Sequence, residues 1–258
     1  MIRGIYTAVS GLITQEAKQD SISNNLANVN TIGYKKDSII AKKFDDVMIQ
    51  NHDKVVNGKN VKNVIGSLSM GCKIDETYTN YNQGIIQSTN KDTDFAIEGK
   101  GFFAVSRDNG IDENTYYTRN GHFHVNNVGY LVNDTGDKVL AKNIQTDNLE
   151  PVYIGRGKIK CDESGNISIN NNLTYKMYTA DFEDNSLKKV EDNLYSGENP
   201  IETNNRKIQQ NSIEKSNVDV MSEMADMMMT MRIFESNQKI VQTLDETLGK
   251  AVNEVGRA

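Results

Sequence analysis

The sequence predicts an α+β protein in which long N- and C-terminal helices pair as a coiled-coil-like stalk and flank a central antiparallel β-rich domain. Two observations lead to this prediction. Apolar residues recur at a helical period at both ends of the chain, and turn-forming Asn, Asp and Gly residues interrupt the middle at short intervals. The predicted segments are an N-terminal helix at 1–34, a partly extended connector at 35–80, the β-rich domain at 81–200, a second connector at 201–215 and a C-terminal helix at 216–258.

The N-terminal helix is predicted from apolar residues that recur every 3.5 residues or so, which is the spacing of a coiled-coil seam. Gln15 and Gln19 interrupt this pattern, so the isolated helix is expected to be only marginally stable. The apolar residues of this N-terminal seam are Ile5, Ala8, Leu12, Ile22, Leu26 and Val29.

The C-terminal helix has the clearer pattern, because a row of apolar residues is spaced seven apart. A companion row lies four positions further on and is broken by Gln238 and Asp245. Ser216 and Asp219 are predicted to form a capping box, in which the serine accepts from the helix backbone and the aspartate reaches back. The predicted C-terminal seam comprises Val220, Met224, Met227, Met231, Phe234, Val241, Leu248, Val252 and Val255.

Most apolar stripes of this kind pack against a core of the same protein. Here the C-terminal helix is predicted to have about 40 residues and to span ~60 Å, which is more than a small domain covers. We therefore expect the two helices to pack on each other and to leave apolar surface for further subunits. The methionine-rich stretch 224–231 suits adaptable packing, although a role as plain core filler fits it equally well.

Four asparagines fall within seven residues of the segment SNNLANVNTIGYKK, residues 23–36. Asn24 and Asn28 are four residues apart and are expected to share one helix face, away from the seam. They are predicted to make directional contacts, either to neighbouring subunits or to backbone at the helix end. The alternative is a local cap with no role between subunits. Gly33 is predicted to close the helix in the left-handed conformation, so that Tyr34 leads toward the β-rich domain.

The middle of the chain is predicted to be an antiparallel sheet or small β-domain. Asn120-Gly121 lies between strand-like residues, and Asn-Gly is the strongest short hairpin signal. Further turns are predicted at 127–129, 134–136 and 164–166, each beside residues typical of strands.

Composition excludes several kinds of partner. The net charge is −6, the isoelectric point is near 5.2, and Lys and Arg are scattered without a basic stripe, so no nucleic acid is expected to bind. No run of about 18 apolar residues occurs, so direct membrane insertion is not expected. The first residues lack a small-x-small cleavage site, so export is expected to use a route without a cleaved signal peptide.

The sequence predicts no enzyme, no cofactor and no metal site. A GxGxxA match begins at Gly99, but strand-like rather than helical residues follow it, so glycines at a strand bend are the preferred interpretation. His122 and His124 lack a third ligand at metal-binding spacing. Cys72 and Cys161 stand far apart, and a single disulfide between them is left open.

Three segments in order resemble the bacterial flagellar rod and hook protein family. SNNLANVNTIGYKK, preceded by MIRGIYTAVSG, resembles its N-terminal signature, and SNVDVMSEMADMMMTMRIFESNQKIVQTLDETLGKAVNE resembles its C-terminal signature. Between them, YNQGIIQSTNKDTDFAIEGKGFFAV is similar to the segment that rod and hook members share. The motif and helix exit at the N-terminal end consist of Asn24, Asn25, Leu26, Ala27, Asn28, Thr31, Gly33 and Tyr34.

The resemblance implies a structural subunit of the flagellar basal-body rod, located in the basal body. Such a subunit assembles with copies of itself into a helical tube, contacts other rod and hook proteins, and is exported through the flagellar type III apparatus. The tube transmits torque between motor and hook and forms part of the export channel, with the terminal helices on its inner side. The length favours rod over hook, and the central segment and long C-terminal helix favour the distal-rod type, although the opening IRGIYTAVSG suits the proximal type as well. The alternative function is a secreted hydrolase or adhesin with a β-domain and helical termini.

Overall fold

The computed structural model describes residues 2–56, 59–108, 113–182, 187–191, 193–202 and 206–255. A helix lies at each end, α1 (Ile2–Ala27) and α2 (Val220–Lys250), and α2 continues into a π-helical turn at Ala251–Val255. The segments between the helices form strands that pair antiparallel. The predicted α+β class, with a helix at each end of a β-rich body, is thereby confirmed.

The strands, in chain order, are β1 (Asp37–Lys43), β2 (Val47–Val56), β3 (Lys59–Leu68), β4 (Cys72–Thr79), β5 (Ile86–Ser88), β6 (Phe95–Glu98), β7 (Phe102–Asp108), β8 (Glu113–Thr118), β9 (His124–Val125), β10 (Leu131–Val132), β11 (Lys138–Asn143), β12 (Leu149–Pro151), β13 (Ile159–Cys161), β14 (Asn166–Ile169), β15 (Asn172–Met177), β16 (Thr179–Asp181), β17 (Leu187–Lys189), β18 (Leu194–Gly197), β19 (Ile201–Glu202), β20 (Lys207–Gln210) and β21 (Ser212–Glu214).

The chain forms two compact units. The helical unit comprises Met1–Leu26, Asp37–Asn80 and Asp219–Ala258, and the β unit comprises Ala27–Lys36 and Tyr81–Val218. Each unit is therefore built from segments that are distant in sequence.

Paired strands occupy most of the segment that was predicted to be a partly extended connector, residues 35–80. β1 pairs with β4, and β2 pairs with β3, each as a two-stranded antiparallel ribbon. The start of β4 lies against α1, where the Ser10 hydroxyl accepts from the Cys72 amide at 3.3 Å and the Thr14 hydroxyl lies 3.4 Å from the Cys72 sulfur. Extended backbone in this segment thus completes its hydrogen bonds within the helical unit.

The β unit is organised around one large sheet. Its strands run in the order β13-β14-β15-β11-β7-β8-β18-β17, with shorter strands attached. β7 lies near the centre of this order, and its alternate residues Phe103 and Val105 are fully buried. They belong to the main apolar core together with Phe95, Ile97, Phe123, Leu131, Val139, Ala141, Val152, Ile154, Ile159, Ile167, Tyr175, Met177, Leu194 and Ile208.

The hairpin predicted at Asn120-Gly121 is wrong. β8 pairs with β7 and β18, whereas β9 pairs with β10. Gly121 instead passes so close to another strand that an added Cβ would lie 1.7 Å from the Phe95 carbonyl oxygen. The glycine is therefore needed for a close backbone approach rather than for a turn.

The other predicted turns are confirmed, since each connects strands that pair. Turns at 126–129, 133–136 and 162–165 join β9 to β10, β10 to β11 and β13 to β14. Strands also occur in the second predicted connector, because β20 pairs with β6 and β21 pairs with β5.

Candidate functional site

Asn25 is the asparagine that the structure places at the centre of the Asn-rich motif. It is 1% exposed. Its amide nitrogen donates to the Asp37 carbonyl at 2.8 Å and to Glu223 Oε2 at 3.1 Å, and its amide oxygen accepts from the Asp37 backbone N–H at 3.1 Å. The Ser21 hydroxyl donates to the same Asp37 carbonyl. One side chain thus joins α1, the start of β1 and α2 within the helical unit.

The other predicted contacts of the motif lie elsewhere. Asn24 is exposed, whereas Asn28 is half-buried and accepts from the Thr31 hydroxyl at 3.0 Å. Asn25 could have been singled out by its spacing, because it lies 21 residues after Gly4 and 14 after Gly11, two glycines on the same heptad position. The assignment of Asn24 and Asn28 to contacts between subunits stays a prediction.

The helix exit differs from the prediction in where the helix ends. α1 ends at Ala27, six residues before Gly33, and residues 28–33 form turns. Gly33 does adopt the left-handed conformation, with φ of 70°, and its N–H donates to the Glu214 carbonyl at 2.8 Å. Tyr34 follows inside the β unit, where it is 2% exposed and lies under the Lys189 ammonium at 4.3 Å from the ring centre.

The buried face of α2 combines one predicted row with one unpredicted row. Met227, Phe234, Val241 and Leu248 of the predicted row are half-buried. The companion row was expected four positions after the members of the first row, but the covered residues lie three positions after them instead. Glu223 and Thr230 are buried, and Asn237, Leu244 and Ala251 are half-buried.

The unpredicted row of α2 lies against α1. The Leu244 Cδ1 atom is 3.6 Å and the Asn237 Nδ2 atom 3.0 Å from the positions that a Cβ would take at Gly4 and Gly11. Glu223 accepts from Asn25 further along the helix. The three contacts run in opposite directions along the two helices, so the helices are antiparallel where they meet.

The predicted companion row is exposed, with Met224 54%, Met231 48% and Val252 69% exposed. Val220 of the first row is 39% exposed as well, and the side chain of Val255 lies outside the described residues. Further exposed apolar residues lie along the same helix, namely Met221, Met228, Met229, Ile233 and Ile240. We call these nine exposed residues the outer apolar face of α2.

The N-terminal seam is partly covered. Ala8 is 8% exposed, and the remaining members Ile5, Leu12, Ile22, Leu26 and Val29 are half-buried. Tyr6, Val9 and Ile13 are exposed on another side of α1. The first helix therefore also shows apolar surface that the described residues leave exposed.

The cap of α2 is simpler than the predicted capping box. The helix begins at Val220, and Asp219 is its N-cap, with the carboxylate accepting from the Met221 amide at 3.2 Å. Ser216 lies before the helix and accepts from the Val218 amide at 3.2 Å. Ser216 is too far from the first turn to cap it, so its bond stabilises the preceding loop instead.

Within the described part of the chain, no group of three or more His, Cys, Asp and Glu side chains could hold a metal ion. His122 instead pairs with Asp94, with Nδ1 and Oδ1 2.7 Å apart. Cys72 and Cys161 are both free thiols. In the same part of the chain, no helix is long and apolar enough to cross a membrane.

The main features of the described residues are exposed apolar helix faces and hydrogen-bonded junctions between chain segments, which are typical of a structural protein. Comparisons with known proteins agree. Residues 5–35 match the family model of the flagella basal body rod protein, residues 96–175 the flagellar hook protein FlgE/F/G D1 domain, and residues 209–254 the flagellar basal body rod FlgEFG protein C-terminal domain.

Two rod proteins match over nearly their whole length, and a hook protein matches over part of its length. The chain is 34% identical to the flagellar basal-body rod protein FlgG of Borreliella burgdorferi, over 98% of both chains. It is 31% identical to the FlgG protein of Bacillus subtilis, over 98% of this chain and 99% of the relative. The flagellar hook protein FlgE of Treponema pallidum is 30% identical over 69% of this chain and 40% of that protein.

The chain belongs to the flagellar basal-body rod protein family. It is a structural, non-enzymatic protein of the flagellar basal body, as the resemblance implied. The alternative of a secreted hydrolase or adhesin is thereby set aside.

Proposed function

We propose that the chain polymerises with copies of itself into a helical tube of the rod. In this tube α1 and α2 pair as a coiled-coil-like stalk on the inner side, and the β unit lies outside. The tube transmits torque between motor and hook and forms part of the export channel. The distal part of the rod is the proposed location, and other rod and hook proteins are the proposed neighbours at the two ends of the tube.

The observation that carries this proposal is the outer apolar face of α2. A helix in water is expected to bury its apolar stripe and expose its polar residues. α2 instead buries Glu223 and Thr230, half-buries Asn237 and exposes most of its methionines. Burial of apolar surface contributes roughly 25 cal/mol per Å², so covering this face in neighbouring copies favours assembly. Head-to-tail interfaces between identical subunits build helical filaments when the rotation does not close.

Export through the flagellar type III apparatus, without a cleaved signal peptide, belongs to the same proposal. A chain exported in this way must be able to unfold at its ends and order them again on assembly. Hydrogen exchange on the monomer tests this part. We expect weak protection of residues 3–27 and 220–250 before polymerisation and strong protection afterwards, and strong protection in the monomer would contradict it.

Polymerisation of the purified chain, followed by light scattering and electron microscopy, tests the tube. Changing Met228 and Met231 to Glu places two charges on the outer apolar face of α2. We expect this variant to raise the concentration required for polymerisation by at least tenfold, on the order of the ~1.4 kcal/mol lost when two methionines are no longer buried. Ser236→Glu with Thr243→Glu adds the same charge at exposed polar positions of the helix and is the control. Equal polymerisation of both variants would overturn the proposal.

A further inference from the structure

A network of three buried charges lies where several segments of the β unit meet. Lys35 Nζ is 2.7 Å from Glu214 Oε1, and Arg119 Nε is 2.6 Å from Glu214 Oε2. The side chains of Lys35 and Glu214 are each 1% exposed, and that of Arg119 is 3% exposed. We call these three residues the ionic clasp.

Backbone groups complete the coordination of the clasp. Lys35 also donates to the Asn82 carbonyl at 2.7 Å, and Glu214 Oε1 accepts from the Gly84 N–H at 2.8 Å. Arg119 donates to three carbonyls, that of Ile97 in β6 and those of Gly99 and Gly101 in the loop that follows. The clasp therefore connects segments 33–36, 82–84, 97–101 and 212–217.

The charges of the clasp do not balance, since two cations face one carboxylate. Burial holds the pKa of Lys35 below its ordinary value, although Glu214 acts in the opposite direction. Buried ions lose hydration, and removing one partner from such a group leaves an uncompensated charge, which is strongly destabilising. The arrangement is thus stable only when all of its members are in place together.

Two of the strands beside the clasp, β5 and β21, have little apolar packing to hold them. They pair with each other, outside the large sheet. Ile85 beside them is 76% exposed, β5 contributes no buried residue, and the buried residues of β21 are Ser212 and Glu214. Polar contacts, rather than apolar burial, therefore fix these two strands to the β unit.

Asn217 makes further hydrogen bonds between the segments that the clasp connects. Its side-chain oxygen accepts from the Lys36 N–H at 2.8 Å, and its side-chain nitrogen donates to the Asn82 carbonyl at 3.1 Å. Three of the chain connections that leave the β unit, after Lys36, before Tyr81 and after Val218, lie within a few residues of these contacts.

We propose that the ionic clasp is a latch that opens as one cooperative step while the large sheet stays folded. When closed, it holds three chain connections of the β unit at fixed positions beside one another. When open, it releases segments 33–36, 82–88 and 212–217 together, as expected of a local unit whose stability is lower than that of the whole domain. The proposal concerns the monomer and does not depend on polymerisation.

Hydrogen exchange with mass spectrometry on the full-length monomer tests the latch. Glu214→Gln leaves two buried cations without their carboxylate. We expect exchange at the amides of Gly33, Gly84 and Lys215 to accelerate on the order of 100-fold, the scale for breaking a buried ion group. Exchange in β7, β8 and β11 is expected to stay at the wild-type rate.

Two further variants keep the test decisive. Lys35→Met retains the Arg119–Glu214 pair, so we expect a smaller acceleration at the same amides, and this variant is measured in place of Glu214→Gln if the latter does not fold. Glu163→Gln removes a carboxylate from an exposed pair with Lys207 in the same unit and is expected to change nothing. Unchanged exchange at the three amides would overturn the proposal. Acceleration of β7, β8 and β11 by the same factor would overturn it too, because the clasp would then be part of the global core.

Discussion

The left-handed glycine of the motif gives the sharpest test of how the β unit is built. Gly33 has φ of 70°, and a Cβ added there would lie 2.5 Å from the Asn120 backbone nitrogen and 2.6 Å from the Arg119 carbonyl carbon. Gly136 also has positive φ, at 90°, but nothing lies within 4 Å of its Cβ position. The two glycines therefore separate the cost of backbone conformation from the cost of a steric clash.

For Gly136→Ala, we expect a loss of about 1–2 kcal/mol in the free energy of unfolding, the cost of a left-handed residue with a side chain. Gly33→Ala has the same cost of backbone conformation. It also forces Gly33 away from Asn120, which weakens the hydrogen bond to the Glu214 carbonyl at a cost of about 1–3 kcal/mol for a buried polar group. The expected loss at Gly33 is therefore about 2–5 kcal/mol.

Urea denaturation of the monomer measures both values. The chain has no tryptophan, and nine of its 11 tyrosines lie in the β unit, so tyrosine fluorescence reports mainly on that unit. The steric reasoning would be refuted if the two variants lost free energy of unfolding to within about 0.5 kcal/mol of each other, which is the usual size of a surface effect. Equal slopes against urea are required for the comparison.

Three further predictions concern single side chains. Asn25→Asp replaces two donated hydrogen bonds by a carboxylate facing Glu223, and we expect it to weaken polymerisation at least tenfold. Asn30→Asp makes the same change at an exposed turn position and is expected to change little, so equal polymerisation of the two variants would contradict the role of Asn25. Burial raises the pKa of the Cys161 thiol from 9.0 to about 12, so the thiol ionises at lower pH in the unfolded chain than in the folded one. Its contribution to the free energy of unfolding is therefore fully present below pH 9 and is lost as pH rises through about 12. Melting temperatures across this range should therefore fall less steeply in Cys161→Ala, and an unchanged slope would exclude the thiol as the cause. Asp219→Ala removes the N-cap of α2, and we expect it to cost about 1 kcal/mol of helix stability, measured by circular dichroism. Ser216→Ala should cost less, and the reverse order would favour the predicted capping box over the single N-cap.

Local chemistry was sufficient to predict several parts of the β unit. Asn126 accepts with one side-chain oxygen from the backbone amides of residues 128, 129 and 130, which is why an asparagine before Gly129 marks a turn. The same rule failed at Asn120-Gly121, because the glycine there is needed for close contact with the backbone of a strand more than 20 residues away. Neighbours in sequence determine a turn, but they do not reveal a close approach by another segment.

The helix faces show a second limit of sequence reasoning. Hydrophobicity favoured Met224 and Met231 over Glu223 and Thr230 for the inward face of α2. The structure buries the polar pair, because Glu223 accepts from Asn25 and the Thr230 hydroxyl donates to the Asp226 carbonyl at 2.7 Å. A pattern of apolar residues does not show a polar side chain whose partner lies on another element 198 residues away. Lys35 and Glu214, 179 residues apart, escaped prediction for the same reason.

The exposed methionines of α2 have a practical consequence for handling the protein. Met221 and Met229 are 81% and 62% exposed, so peroxide can reach their thioethers in the unassembled chain. Oxidation to the sulfoxide turns a flexible apolar side chain into a polar one and disrupts methionine-rich interfaces. Protein that ages in air is expected to lose the apolar character of this helix face while its sheet stays intact, so a freshly prepared sample is the one to compare with any polymer.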